Sequence, residues 1–102
     1  MKLWIDDVRP APDGWFWAHN VHEAMMAINV YEHNMTDDQI ILSLDHDAGD
    51  EYEHGGDFIN VLKMLEAANI VDTGYSFHLH TMNVVGRDNM RAIIQRNGWK
   101  EV

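Results

Sequence analysis

Four polar clusters in this 102-residue chain hold the side chains able to do chemistry: Asp6-Asp7, Asp45-His46-Asp47, His80-Thr81 with Asn83, and Arg87. Carboxylates forced close together repel, and they respond by taking up protons or by holding a cation. Asp6, Asp7 and Asp45 would offer three hard oxygen donors, a set that suits Mg²⁺, Mn²⁺ or Ca²⁺. Any one of these acids taken alone is better read as a loop cap facing water; acids at several strand ends together favour a metal or phosphate site. An EF-hand reading of the stretch from Asp45 fails, because the sixth position is Asp50 where Gly is needed and the twelfth is Gly56 where Glu is needed. Imidazole as a side-chain type titrates near working pH, so His46 and His80 are the candidates for acid–base work. The Arg87 guanidinium fork can take two phosphate oxygens, with the amides of a following helix beside it; the competing reading is a surface pair with Asp88 or another acid. His78 reads as a packed, hydrogen-bonded side chain, and His19, His22, His33 and His54 as surface residues.

The elements that must position these groups follow from spacing. Lys2 to Ile5 is a short apolar strand with a charged exit. Val8 to Gly14 holds both prolines, Pro10 and Pro12, and reads as a loop. Trp15 to His19 is a second, aromatic strand. Asn20 with Glu23 forms a capping-box variant, and Val21, Ala24, Met25 and Ile28 then recur on one helix face, to about His33-Asn34. Ile40 to Leu44 is an apolar run typical of a strand covered by helices on both faces. Asp45 to Asp57 carries six carboxylates, two histidines and three glycines, so it is a loop. Phe58 to Asn69 is a second helix, Phe77 to Thr81 a strand, Asn83 to Asp88 a turn, and the region of Met90, Ile93 and Ile94 a helix stopped by Gly98. Trp99 to Val102 adds a terminal strand. Alternation of this kind predicts an α/β layered fold in one domain over 1–102. The link from Asp7 to Trp15 is too short for a helical crossover, so the second strand either follows an irregular crossover or runs antiparallel. Ligands of open parallel sheets sit beyond the carboxyl ends of the strands, where the clusters fall if the first and third strands are neighbours.

Composition narrows the function classes. Without cysteine, a disulfide scaffold and a thiolate zinc site are excluded. The net charge of −10, from 7 Lys+Arg against 17 Asp+Glu, leaves no basic patch to displace counterions from duplex nucleic acid. A small phosphate ester or nucleotide remains open as a ligand if a metal or a few placed cations cancel the repulsion. No run approaches the ~18 apolar residues of a membrane span, and the start lacks a signal-peptide pattern, so a cytoplasmic protein is the expectation. Trp4, Trp15, Phe16 and Trp17 offer a base-stacking wall or, more ordinarily, core.

The stretches KLWIDDVRPAPDGW at 2–15, LSLDHDAGD at 42–50 and HTMNVVGRDNM at 80–90 together resemble the cyclic-phosphate-processing receiver domains, a divergent branch of the response-regulator receiver superfamily. The resemblance implies a receiver-like, flavodoxin-like and mostly parallel sheet of about 4–5 strands with about three helices, the first receiver helix being replaced by the Pro-containing loop. It implies Asp6, Asp7 and Asp45 as ligands of Mg²⁺ or Mn²⁺, His46, His80 and Arg87 as groups that contact or process the phosphate, and Asp47, Thr81 and Asn83 in support. The receiver's lysine has no good counterpart, Lys100 being a poor candidate, which weakens phospho-signalling more than metal binding. The leading expectation is a metal-dependent phosphoesterase, a hydrolase acting on a 2′,3′-cyclic phosphate end or a cyclic nucleotide. The alternatives are a signalling module phosphorylated on Asp45 and a non-catalytic cyclic-nucleotide-binding protein.

Overall fold

A computed structural model describes residues 1–34, 39–70 and 74–102, the side chains of His33 and Asn34 excepted. Its strands are β1 (Lys2–Ile5), β2 (Phe16–Ala18), β3 (Ile40–Leu44), β4 (Tyr75–Leu79) and β5 (Lys100–Glu101), and its α-helices are α1 (Val21–Asn34), α2 (Ile59–Ala67) and α3 (Val84–Arg96). The five strands form one parallel sheet in the order β2-β1-β3-β4-β5. That is the flavodoxin-like order, with its topological switch point between β1 and β3. β2 is thus parallel, reached through an irregular ten-residue crossover, 6–15, with no helix in it.

Among the described residues, helices cover only one face of the sheet. α1 packs on β1, β2 and α2, and α2 packs on α3, so the helices make one layer. Leu3, Ile5, Ile40, Leu42, Leu44, Tyr75, Phe77 and Leu79 turn into that layer and are buried with Val21, Ala24, Ile28, Val61, Leu62, Leu65, Met90, Ile93 and Ile94. Side chains alternate along a strand, so Trp4, Ile41, Ser43, Ser76 and His78 turn to the other face. The expectation of helices on both faces of β3 is therefore corrected. Its continuous apolar reading came from Ile41, which is only half-buried. Ser43, fully buried, is shielded by the Trp4 and His80 rings near it rather than by a helix.

Local chemistry explains the boundaries. The Asn20 side chain accepts the Glu23 amide at 2.7 Å, and Glu23 returns a bond to the His19 amide at 3.0 Å, closing the cap of α1. β4 begins and ends two residues earlier than its alternation suggests, which leaves His80 and Thr81 beyond the strand. The expected turn at 83–88 is instead the N-terminus of α3: Asn83 is the N-cap, its side chain accepting the Gly86 amide at 2.9 Å. Gly98, at φ 67, ends the helix region in the left-handed conformation glycine tolerates. At the far ends of the helices, Glu66 of α2 takes a two-pronged bond from Arg96 of α3 and another from Asn97.

Two measurements check this frame. Asn20→Ala removes the α1 cap and a bond to Glu51, and should lower unfolding free energy by about 1 kcal/mol with little change in denaturant slope. The Arg96 guanidinium, with the Asn97 amide, holds the Glu66 carboxyl down at about 2. A depressed folded value stabilises above the ordinary carboxylate range and is lost as pH falls toward it. Glu66→Gln should therefore lower stability at neutral pH and flatten the acid limb below about 4.5, the two pH–stability curves converging toward about pH 2.

Candidate functional site

The parallel register brings distant residues to one row. Ile5, Leu44 and Leu79 are lateral partners across β1, β3 and β4. The ladder runs one residue further, with Asp45 N–H donating to the Ile5 carbonyl at 3.0 Å and His80 N–H to that of Leu44 at 2.9 Å. Asp6, Asp45 and His80 are consequently neighbours just past the carboxyl ends of the strands. One residue further inward in each strand, the buried apolar partners turn to the helices, so these three lie on the helix-free side with Trp4 and Ser43.

Asp6 is fully buried. Its Oδ1 accepts the amides of Val8 at 3.0 Å and Arg9 at 2.9 Å, and its Oδ2 meets His80 Nε2 at 3.0 Å. Burial alone would raise its pKa, but those amides and the imidazole outweigh burial and hold the carboxyl below its ordinary range. Asp7 moves the other way: burial pushes it up, and the charges of Asp6 and Asp45 add to that push against its own amide. One oxygen from each of Asp6, Asp7 and Asp45 lies within 4.8 Å of the others. Three carboxylates this close repel one another, and their hard oxygen donors fit a divalent ion that would offset the repulsion. Gly49, at φ 55, closes over Asp7; a Cβ there would strike Asp7 Oδ2.

The second cluster is built from the β3 exit and α3. Asp47 Oδ1 lies 2.8 Å from His46 Nδ1, and Asn83 Nδ2 donates to the same carboxylate at 3.2 Å. The imidazole bond, then burial opposing and the Asn83 bond assisting, leaves Asp47 with a lowered pKa. An ionised Asp47 has no proton to give, so the ring proton lies on Nδ1. His46 Nε2 has no hydrogen-bond partner among the described residues. The His46 side chain is 14 % exposed, enough to meet a small ligand. Gly86 makes this placement possible, since a Cβ there would collide with the imidazole. Thr81, buried, uses Oγ1 to accept the Asn83 amide at 3.1 Å, shaping the entry to α3. His46, Asp47 and Asp57 also bring ligand atoms within 4.8 Å, but the Asp47 bonds above and the Ala48 amide on Asp57 already engage that group.

Arg87 stands apart from the carboxylates. It lies in the first turn of α3, makes no ion pair among the described residues, and acts electrostatically on Glu101 of β5. Its Nε is buried without a hydrogen-bond partner. Lys100 is level with Ser76, Ile41 and Lys2 across the sheet, at the opposite end from the row. His78 bonds the Val102 carbonyl at 3.0 Å but is exposed on the helix-free face, so the expectation of a packed histidine is corrected while its hydrogen bond stands. Of the aromatic residues, Trp4 stacks on His80 at 3.9 Å and meets Trp15 edge-on at 6.1 Å, Trp17 is the lateral partner of Trp4 and stacks on His19 at 4.2 Å, and Phe16 is exposed.

Sequence reasoning missed three participants. Arg9 reaches the His80 carbonyl through Nη1 at 3.5 Å. Ser43 Oγ lies 2.8 Å from His80 Nδ1. Trp4 covers the imidazole face, anchored by its own N–H on the Arg9 carbonyl at 2.8 Å. The available signal was parity: positions 4 and 43 stand two residues before Asp6 and Asp45 and share their face.

A family model described as the cyclic-phosphate processing receiver domain matches residues 1–96. No curated protein and no solved structure matches the chain. Among the described residues, no helix is long and apolar enough to cross a membrane.

The tight seat of His46 gives a direct check. Glycine to alanine within a helix ordinarily stabilises by about 1 kcal/mol. Gly86→Ala should instead fail to stabilise, and should shift the ring resonances of His46 while leaving those of His78 in place.

Proposed function

The chain belongs to the cyclic-phosphate processing receiver domain family, and we propose that it is a phosphoesterase that opens a cyclic phosphate, such as a 2′,3′-cyclic end or a cyclic nucleotide, with Mg²⁺ or Mn²⁺ held by Asp6, Asp7 and Asp45. The observation that carries this reading is the convergence of those three carboxylates at the strand exits, with His46, whose amide donates to Asp45 Oδ1, keeping its Nε2 without a partner among the described residues. A divalent ion bound there supplies Lewis-acid polarisation of the phosphoryl oxygens.

The chain's own residues would do the rest. Asp47 orients His46 through the contact at Nδ1, the role a carboxylate plays behind any catalytic imidazole. His46 Nε2 takes the proton of the attacking water as the new P–O bond forms. The ring P–O bond breaks, and the departing alkoxide oxygen recovers a proton from the same imidazolium. Asn83 and Thr81 hold Asp47 and the start of α3 in register with this step. Arg87 has a buried donor still to satisfy, which suits an anion approaching α3. Direct attack by Asp45 to give an acyl phosphate is the competing route. The signalling alternative gains nothing from Lys100, which stands at the wrong end of β5.

Purified protein with 2′,3′-cyclic nucleotides and Mn²⁺ tests the reading. Turnover should vanish with chelator and return with metal, and His46→Ala should lower kcat by about 10²- to 10⁴-fold. A phosphoryl group retained on Asp45 after acetyl phosphate treatment, without cyclic-phosphate turnover, would establish the signalling module instead. Undiminished turnover in chelator, or in His46→Ala, would overturn the mechanism.

A further inference from the structure

His80 has the chemistry of a catalytic base and the surroundings of a fixed strut. Nε2 faces Asp6 Oδ2 at 3.0 Å, Nδ1 faces Ser43 Oγ at 2.8 Å, and the ring lies parallel to Trp4 at 3.9 Å with planes 5° apart. Its side chain is 9 % exposed. Trp4 is itself held, by its N–H on the Arg9 carbonyl and by the edge of Trp15 at 6.1 Å. Asp6 acts as an acceptor toward the Val8 and Arg9 amides, and the same carboxylate meets the ring through Oδ2, which assigns the hydrogen between them to Nε2. Ser43 then satisfies Nδ1. Neither ring nitrogen is left to meet water or substrate.

We infer that His80 is a positioning residue: Ser43 and Trp4 lock its ring so that Nε2–H donates to Asp6 and fixes the carboxylate that faces the cation. Two bonds to Asp6 Oδ1 and one to Oδ2 occupy three of its four lone-pair directions, so the fourth, on Oδ2, is the one left for the space shared with Asp7 and Asp45. Ser43 and Trp4 thereby become determinants of ligand geometry although neither touches the ligand. Partners that orient a ligating side chain are worth about 10- to 100-fold in metal affinity or activity. The assignment rests on the reading of Asp6 as a ligand, and it divides labour between the two histidines: His46 moves protons, while His80 holds a carboxylate.

Two experiments separate this inference from the reading beneath it. Long-range ¹⁵N–¹H spectra of the metal-free protein should show His80 protonated at Nε2 in a single tautomer, with the Nδ1 resonance displaced in Ser43→Ala and averaging between tautomers in Trp4→Leu. An Nδ1–H tautomer, or averaging already in the native chain, overturns the inference whether or not metal binds. Mn²⁺ affinity is then compared in His80→Gln, which retains a donor near the Nε2 position, and His80→Ala, which does not. Glutamine should keep most of the native affinity and alanine should lose about 10- to 100-fold. Equal, native-like affinity in both, with turnover lost in both, makes His80 an acid–base group and ends the proposal. A native protein that fails to bind Mn²⁺ refutes the metal reading, and the ring spectra then decide the role of His80 alone.

Discussion

Register between β1, β3 and β4 is the constraint on which the site depends. The hydrogen-bond ladder makes Ile5, Leu44 and Leu79 lateral partners and continues through the amides of Asp45 and His80. Three residues separated by as many as 74 positions thereby stand side by side. A one-residue slip of β3 would send Asp45 to the helix side and Leu44 to the outside. The buried row of Leu42, Leu44, Phe77 and Leu79 prevents that slip, so core packing and site assembly are one constraint.

The same geometry assigns different electrostatic states to chemically identical groups. Asp6 and Asp7 are consecutive and both experience desolvation. Asp6 has two amides and an imidazole to offset it and remains easily ionised; Asp7 has the negative neighbours instead and resists ionisation. Likewise two imidazoles at the ends of adjacent strands differ in what is left over. His46 has one nitrogen bonded and one open, whereas His80 has both engaged and an indole across its face. Burial outweighs the pull of Asp6 and Asp45 on His80 and lowers its pKa, which favours the neutral ring.

Much of the frame was legible in the residues. The strand exits at Asp6 and Asp45, the Asn20 cap and the Gly98 stop rest on local chemistry, and each stands where its spacing indicates. What stayed hidden depends on contacts across the fold. Gly86 and its neighbours look like a turn because glycine is a poor helix former, and the reason for glycine is the His46 ring, forty residues away in sequence. Ser43 looks like a flaw in an apolar strand until His80 is seen above it. The missing helices on the second face were illegible because β3 is apolar enough to suit either arrangement. Arg87 shows a further contact that spacing does not reveal: its charge acts on Glu101 across the fold, while its Nε is buried without a hydrogen-bond partner.

The helix-free crossover of residues 6–15 has no repeating backbone ladder to hold its shape. Four side chains tether it: Trp4 on the Arg9 carbonyl, Trp17 on the Asp6 carbonyl at 2.7 Å, the Asp6 carboxylate on the amides of Val8 and Arg9, and Arg9 on the His80 carbonyl at 3.5 Å. Asp6 is therefore a hinge pin as well as a member of the acidic trio. Any lesion there is two lesions, one to charge and one to loop architecture. Asp7 and Asp45 lack that double duty toward the crossover, so changes at those positions report on the chemistry with less collateral unfolding. The crossover cannot drift in sequence at its pins without the site drifting with it.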